Sequence, residues 1–391
     1  MKKILYINSV CGFGSTGNIV ADLASFKEYE SLVCFGRKKD YSKINTYKFA
    51  NIFDNCIGAL RTIVFDKNLT ICSSATKRLI KKIKEYNPDI IHLHNLHGYY
   101  VNVEMLFKFL KEYRKPVVWT LHDCWSITGY CPHFDYINCD KYKTKCTNCP
   151  YGFSYPFSLF KQNVERDFEK KKELFNSIDN FIIITPSKWL KRRVEESFIA
   201  NAKIQVINNG IDIKEHSEKK NKKFTVLAVS NYWTKEKGKD ELKKIIPLLD
   251  KDIQVTIIGD LKDKDNIFID CNLIKQISNR DQLYKEYAKA HVLINPTLQE
   301  AFGLVTVEAM SCGTPVIAYN TGACPELIEN NSGLIIEKYN YKGIADAVNQ
   351  LKSNYYYNIE NIKHNAEKYS KEFMKSEYNR IYDDLLNKKK Y

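Results

Sequence analysis

Residues 291–337 read HVLINPTLQEAFGLVTVEAMSCGTPVIAYNTGACPELIENNSGLIIE. The stretch opens on an apolar, β-rich run and breaks at Pro296 and the polar TLQ. It resumes as GLVTVEAM, the pattern of a buried helix, and then returns to apolar runs in TPVIAYN and SGLIIE. Strands this continuously rich in Val, Ile and Leu, separated by helical segments, belong to parallel sheets covered on both faces. The same rhythm runs outward through the chain. KILYINSV, ESLVCFG, DIIHLHN, PVVWTLH, NFIIITPS and KIQVINNG read as strands of a first half, and FTVLAVS, IQVTIIG and NLIKQIS join the quoted runs in a second. The expected fold class is α/β, with two doubly wound, Rossmann-like domains.

At 391 residues, two domains of roughly 150 to 200 residues are the natural division. The charged, turn-rich INNGIDIKEHSEKKNKK (207–223) is the best linker. The expected boundaries are 1–207 for an N-terminal domain with a cysteine-rich insertion at 124–150, and 208–370 for a C-terminal domain. Residues 371–391 follow as a C-terminal helix packing back on the first domain, at the end of an amphipathic, helical stretch from Ile359 to Leu386. A hydrophobic content of 44% fills two cores and excludes a disordered chain. The first apolar run, Ile4 to Val10, is broken by Asn8 and Ser9 and followed by glycines, so it reads as a buried strand and not as a signal peptide. No stretch reaches the roughly 18 to 20 apolar residues of a membrane-spanning helix. The expected location is cytoplasmic, where clustered cysteines more often bind metal or do chemistry than form disulfides.

The net charge of +14 is unevenly shared. Residues 1–208 carry 32 Lys and Arg against 20 Asp and Glu, a net of +12, and the remainder 28 against 26, a net of +2. A basic first half suits nucleic acid, a phosphorylated substrate or an anionic membrane surface, and equally a solvated lysine coat.

CGFGSTGN places Gly12, Gly14 and Gly17 in a G-x-G-x-x-G directly between a strand and helical residues. Such a loop lets backbone N–H groups and a helix N-terminus approach a phosphate. The acidic residue that a nicotinamide dinucleotide site wants after the second strand is absent. Arg37 and Lys38 stand there instead, which would accommodate a 2′-phosphate. In the quoted stretch, Glu300 lies in the loop before the helix and Glu308 about two turns inside it. Free N–H groups around Gly303 to Val305 suit a diphosphate. By spacing alone, the two carboxylates fit a solvated or capping role as well as hydrogen bonds to sugar hydroxyls.

The same segment resembles the E-x7-E signature of retaining glycosyltransferase family 4, whose members share the two-domain GT-B fold. The resemblance rests on the proline-led loop, EAFGL, VEAM, CGTPVIA and G-x-x-P-E-L-I. It extends in family order through TLHD (120–123), TPSKWL (185–190), NNGID (208–212) and KG (237–238). INSVCGFGSTGNIV, HLHNLHGYYVN and HDCWSITGYC look closest to bacterial members that build exopolysaccharide, capsule or O-antigen chains. The resemblance implies two domains facing a cleft. Glu300 would contact donor-sugar hydroxyls and Glu308 the nucleotide ribose. Lys237 would meet the diphosphate, Gly14 and Ser15 the distal phosphate, and Phe302, Gly303, Leu304 and Val305 would line the donor site. His122 would lie at the reaction centre. Many members carry an arginine shortly before the lysine–glycine pair. SNYWTKEKG has none, and Lys235 is the substitute, as a point charge without arginine's planar fork. Selectivity for the base is expected near IKQISNRDQL (274–283).

His92, His94 and His97 in HLHNLHG suggest metal or, with 92 and 94 on one strand face, a packed strand end. Ser187 is the expected cap of a basic helix, KWLKRRVEES, which suits anionic lipid or a solvated face. Five of the twelve cysteines, 124, 131, 139, 146 and 149, cluster in one short segment. Cys131, Cys139, Cys146 and Cys149 have the spacing C-x7-C-x6-C-x2-C of a tetrahedral structural zinc site, with redox cysteines or a disulfide as alternatives. Four protein ligands would leave no open position, so this metal is not expected to be catalytic.

The expected function is that of a retaining glycosyltransferase acting without a catalytic metal. It would move a sugar from a nucleotide diphosphate donor to a saccharide acceptor, lipid-linked and met at the inner face of the membrane. His122 and Glu300 would act as positioning and electrostatic groups, and no nucleic-acid partner is expected. The rivals are an NADP-dependent oxidoreductase using the glycine loop and a zinc-bearing nucleic-acid binder.

Overall fold

The apolar runs assemble into two parallel sheets in the computed structural model, which describes residues 1–150, 158–159, 163–215, 218–261, 268–277, 279–329 and 331–387. His216 and Ser217 of the expected linker, Ser278 of the 274–283 segment and the terminal KKK lie outside the described residues. Two units emerge, Met1–Asn208 with Met374–Tyr391, and Asn209–Phe373.

The first unit holds β1 (Lys3–Asn8), β2 (Glu30–Phe35), β3 (Thr46–Lys48), β4 (Ile90–Leu93), β5 (Val117–Thr120), β6 (Phe181–Thr185) and β7 (Lys203–Val206). Their order is β3-β2-β1-β4-β5-β6-β7, with each pairing parallel. The second unit holds β8 (Thr225–Tyr232), β9 (Gln254–Asp260), β10 (Asn272–Ile274), β11 (Val292–Asn295), β12 (Val316–Tyr319) and β13 (Gly333–Ile336). These are also parallel, in the order β10-β9-β8-β11-β12-β13. The order reverses between β1 and β4 in one sheet and between β8 and β11 in the other. At such a reversal the neighbouring loops leave in opposite directions and open a crevice at the carboxyl ends of the strands. β3 escaped the sequence reading because it is three partly exposed edge residues with no apolar run.

The stretch from Ile359 to Leu386 is two helices, not one. Ile359–Glu367 and Lys371–Asn387 are separated where Ile211 bridges Ser370, with hydrogen bonds from Ile211 N–H to Tyr369 O (2.8 Å) and from Lys371 N–H to Ile211 O (3.0 Å). The division between units falls inside the second helix, between Phe373 and Met374. Its residues Met374, Tyr378, Ile381 and Tyr382 recur on one helical face and are buried with Ile4, Tyr6, Ile90, Val118 and Ile184 of the first sheet.

Polar groups cross this apolar contact. His92 Nδ1 pairs with the Tyr382 hydroxyl at 2.7 Å, and His92 Nε2 with Thr120 Oγ1 at 2.8 Å. Thr120 Oγ1 in turn pairs with the Tyr378 hydroxyl at 2.8 Å. The four side chains are buried, and burial holds the His92 imidazole neutral. In a site closed to water, each lost partner leaves a polar atom unsatisfied. Tyr382→Phe is therefore expected to destabilise the first unit by about 1–3 kcal/mol, read from its urea midpoint. An unchanged midpoint would mean that this bond contributes nothing.

Candidate functional site

In the second unit, three strand ends feed loops that touch one another. After β8 the chain turns through Trp233–Gly238, with Lys237 N–H bonded to Thr234 O and Gly238 N–H to Lys235 O. After β11 it runs from Pro296 to Gly303, and after β12 it turns at Gly322. Leu298 N–H donates to Glu236 O at 2.8 Å, and Ala323 N–H to Glu300 O at 3.0 Å. Two glycines make this approach possible. At Gly238 (φ +82°) a Cβ would stand 2.1 Å from Pro296 O, and at Gly322 (φ +56°) 1.8 Å from Glu300 O. Any side chain there would push the middle loop away.

The clamped loops bring Lys237 Nζ to 2.8 Å from Glu300 Oε2. Burial works against the ammonium charge, but the Glu300 carboxylate outweighs it and raises the lysine pKa. The pair is partly solvated, and such pairs contribute about 0–1 kcal/mol to stability, so its importance is in placing charge. Lys235 is exposed in the same turn.

The helix that follows is Leu304–Ser311, preceded by Gly303 without a side-chain cap. Gly303 O accepts from Thr306 and Val307 N–H, and the N–H groups of Leu304 and Val305 stand in the first turn ahead of that ladder. Phe302 is buried edge-on against Tyr369. Glu308 is the fifth residue of the helix, so it lies little more than one turn inside and not two. It is 7% exposed; its Oε2 accepts from the Tyr287 hydroxyl at 3.0 Å and its Oε1 lies 3.7 Å from Arg280. Burial raises the Glu308 carboxyl, against the pull of Arg280. Arg280 also meets Asp212 at 3.2 Å, and Asp212 meets Lys371 at 2.9 Å. Tyr287 was missed from sequence, and Arg280 was expected only within the base-selectivity stretch 274–283, not as a partner of Glu308. Both lie on the helix Arg280–Lys289, and no local spacing ties that helix to Glu308.

In the first unit, the glycine loop closes with Gly12 N–H on Gly17 O at 3.0 Å. The helix Gly14–Ala24 begins without a side-chain cap, and Gly14 and Ser15 are exposed at its first turn. Where β4 and β5 end, a small cavity is lined by His94, Asn95, His97, His122, Asp123 and Trp125. His94 Nδ1 pairs with His122 Nε2 at 3.0 Å, and the rings of His92 and His94 pack at 4.2 Å. The strand end is thus a packed histidine stack. Burial lowers His122 to about 4 and His94 well below its ordinary value, so one imidazole donates and its neutral neighbour accepts. His97 Nε2 stands 2.7 Å from Asp123 Oδ2, while Asp123 Oδ1 accepts from Trp125 N–H at 2.9 Å. Burial opposes the Asp123 charge, yet His97 and the backbone hold it down to about 2.

Cys131, Cys139, Cys146 and Cys149 line one cavity of about 20 Å³, and Cys124 is not among its walls. Among the described residues no group of three or more His, Cys, Asp or Glu is already arranged to hold a metal ion, and all twelve cysteines are free thiols. Ser187 Oγ caps the basic helix Lys188–Glu195 by accepting from Leu190 N–H. Arg193 of that helix is paired with Asp135 at 3.0 Å and Lys191 with Glu195 at 3.6 Å, which leaves less free charge for lipid than its composition suggests. Among the described residues no helix is long and apolar enough to cross a membrane.

A family model described as Glycosyltransferase Family 4 matches residues 34–215, and one described as Glycosyl transferases group 1 matches 211–373. The Escherichia coli (strain K12) protein WcaC, named for glycosyl transfer in colanic acid biosynthesis, is 26% identical over 270 residues. That match covers 64% of this chain and 64% of WcaC, just under two thirds of the relative. Sucrose-phosphate synthase from Thermosynechococcus elongatus superposes with a TM-score of 0.72 at 14% identity, covering 98% of this chain and 99% of that one. Anabaena Alr3699/HepE in complex with UDP and glucose superposes with a TM-score of 0.67 at 17% identity, covering 98% and 100%.

The neutral histidine pair has a pH signature. Unfolded, His122 takes a proton near pH 6.5, but folded only near 4. Its contribution to stability is therefore full above about 6.5 and lost as the pH falls toward 4, at about 1.4 kcal/mol per pH unit. His122→Asn is expected to flatten the loss of first-unit stability between pH 6.5 and 4, measured by denaturation at each pH. An unaltered slope would contradict the placement of His122 in the neutral stack.

Proposed function

Because the chain belongs to the glycosyltransferases, with a family 4 and a group 1 domain in succession, we propose that it moves a sugar from a nucleoside diphosphate donor to a saccharide hydroxyl, with retention, during synthesis of cell-surface polysaccharide. The observation that carries this reading is the Lys237–Glu300 pair, held beside the N-terminus of Leu304–Ser311 at the carboxyl edge of β8 and β11. A lysine side chain and the first-turn N–H groups of a helix suit a diphosphate, and an adjoining carboxyl side chain suits sugar hydroxyls. Glu308, less readily ionised and set against Arg280 and Tyr287, suits the ribose hydroxyls.

In the reaction, Lys237 and the N–H groups of Leu304 and Val305 stabilise negative charge as it grows on the departing diphosphate. Lys235, exposed in the same turn, adds a second point charge. Phe302 and Gly303 shape the donor site, and Gly14 and Ser15 meet the distal phosphate through the glycine loop. Glu300 already accepts from Lys237, which suits it to orient the sugar and not to attack it. His122, neutral well below physiological pH, positions the transferred sugar by hydrogen bonding. No step in this scheme requires a metal.

Support for the donor class comes from HepE, described with UDP and glucose, and support for the biological setting from WcaC, named for colanic acid biosynthesis. We place the acceptor on a lipid carrier at a membrane's inner face. The helix Ile52–Phe65 turns Ile52, Phe53, Ile57 and Leu60 to solvent, each more than half exposed, in a half-chain of net charge +12. Apolar residues among excess positive charge suit peripheral contact with anionic lipid.

Incubation with UDP-, GDP- and ADP-sugars and lipid-linked saccharide acceptors tests the proposal, with the product's anomeric configuration read by NMR. One donor is expected to give a product that keeps the donor's configuration. Lys237→Ala is expected to lower kcat by about 100- to 1,000-fold, the usual cost of removing a group that stabilises transition-state charge. An inverted product would overturn retention, and full activity of Glu300→Ala would overturn the site.

A further inference from the structure

Residues 121–150 leave the first sheet for a segment whose regular structure is three single turns, Trp125–Ile127, Asp135–Ile137 and Lys141–Lys143. Backbone ladders do not hold such a segment in place, so side chains or a bound group must do so. Part of its core is aromatic, with Phe134 stacked on Tyr142 at 4.4 Å. The rest is sulfur: Cys131 and Cys146 are buried, Cys139 and Cys149 half-buried, and all four line the same small cavity.

The turn that carries two of these thiols is pinned by backbone and lysine donors. Gly129 N–H bonds to the Cys146 sulfur. The Cys146–Cys149 turn carries Asn148 at φ +44°, and Lys141 Nζ closes it by donating to Thr147 O (2.7 Å) and Asn148 O (2.9 Å). Behind the cavity lies Lys171, fully buried, with Nζ donating to Trp125 O (2.6 Å) and Thr128 O (2.9 Å) and 3.6 Å from the Trp125 ring centre.

We propose that Cys131, Cys139, Cys146 and Cys149 form a tetrathiolate site for one structural zinc ion. Four soft sulfur donors select zinc in tetrahedral geometry, and a C-x2-C turn is the usual chelating half of such sites. On binding, four S–H protons pass to solvent as four S–Zn bonds form, with no change in oxidation state. Cys139 and Cys149 would have to turn inward to complete the shell, since among the described residues the thiols do not stand as a ligand set. Four thiolates and one Zn²⁺ leave a charge of about −2. The ion would fix the loop Trp125–Cys131 and so steady Asp123 and His97 beside it. This role is one of positioning and is separate from any transfer chemistry.

The test is metal analysis of the purified full chain grown with zinc, together with the absorption spectrum of the cobalt-substituted protein. The expected result is about one zinc per chain and the charge-transfer and ligand-field bands of tetrahedral, thiolate-bound cobalt. Cys146→Ser combined with Cys149→Ser should lose both signals, while Cys56→Ser, on an exposed residue of the helix Ile52–Phe65, should keep them. Should the double variant not fold, the wild-type stoichiometry and cobalt spectrum decide alone. Zinc well below one per chain with every thiol free, or a Cys146–Cys149 disulfide in non-reducing peptide mass spectrometry, would overturn the proposal.

Discussion

A parallel strand cannot be followed by a tight hairpin. The chain must cross back over a sheet face before it can pair again, so strand-to-helix turns collect at one edge. In the second unit this constraint stacks the turns after β8, β11 and β12 against one another, close enough that Gly238 and Gly322 have no room for a side chain. The Lys237–Glu300 pair follows from that contact. Its partners lie sixty-three residues apart in sequence and meet because two strands are neighbours in the sheet.

The same edge separates two glutamates by environment. Glu300 sits in a loop, partly solvated, with an ammonium group at hydrogen-bond distance. Glu308 sits on the helix, almost closed to water, against a tyrosine hydroxyl and an arginine. One is tied to a lysine in a loop, and the other is a carboxyl whose ionisation burial resists. The first unit shows the opposite economy at its own strand reversal. There, His92, His94 and His122 are stacked neutral, and Asp123 beside them is held ionised by His97 and a backbone N–H.

Much of the fold was legible because a strand buried on both faces has to be apolar throughout. Runs such as FIIIT and VIAY therefore announce themselves, whereas TYK at the edge of the first sheet does not. The helix bearing Glu308 was visible, but its depth was overcounted because the loop holds the chain out of helix until Gly303. The partner of the break at Ser370 was invisible, since Ile211 bridges it from across the unit. Residue types at the candidate site could be read from the E-x7-E spacing, while their partners could not. Arg280 and Tyr287 reach Glu308 from another helix, and His122 reaches His94 from another strand end. The cysteine spacing marked four thiols for one place, and they line one cavity, although spacing alone says nothing of the buried Lys171 behind them.

The account turns on the second unit's being a seat for a nucleoside diphosphate. Calorimetric titration of the full chain with UDP, GDP, ADP and NADPH tests this most directly, with Glu308→Ala run in parallel. The account predicts saturable binding of one diphosphate at a single site per chain, weakened in the variant, and no heat from NADPH. Binding of NADPH with none of the diphosphates, or diphosphate binding indifferent to Glu308→Ala, would contradict it.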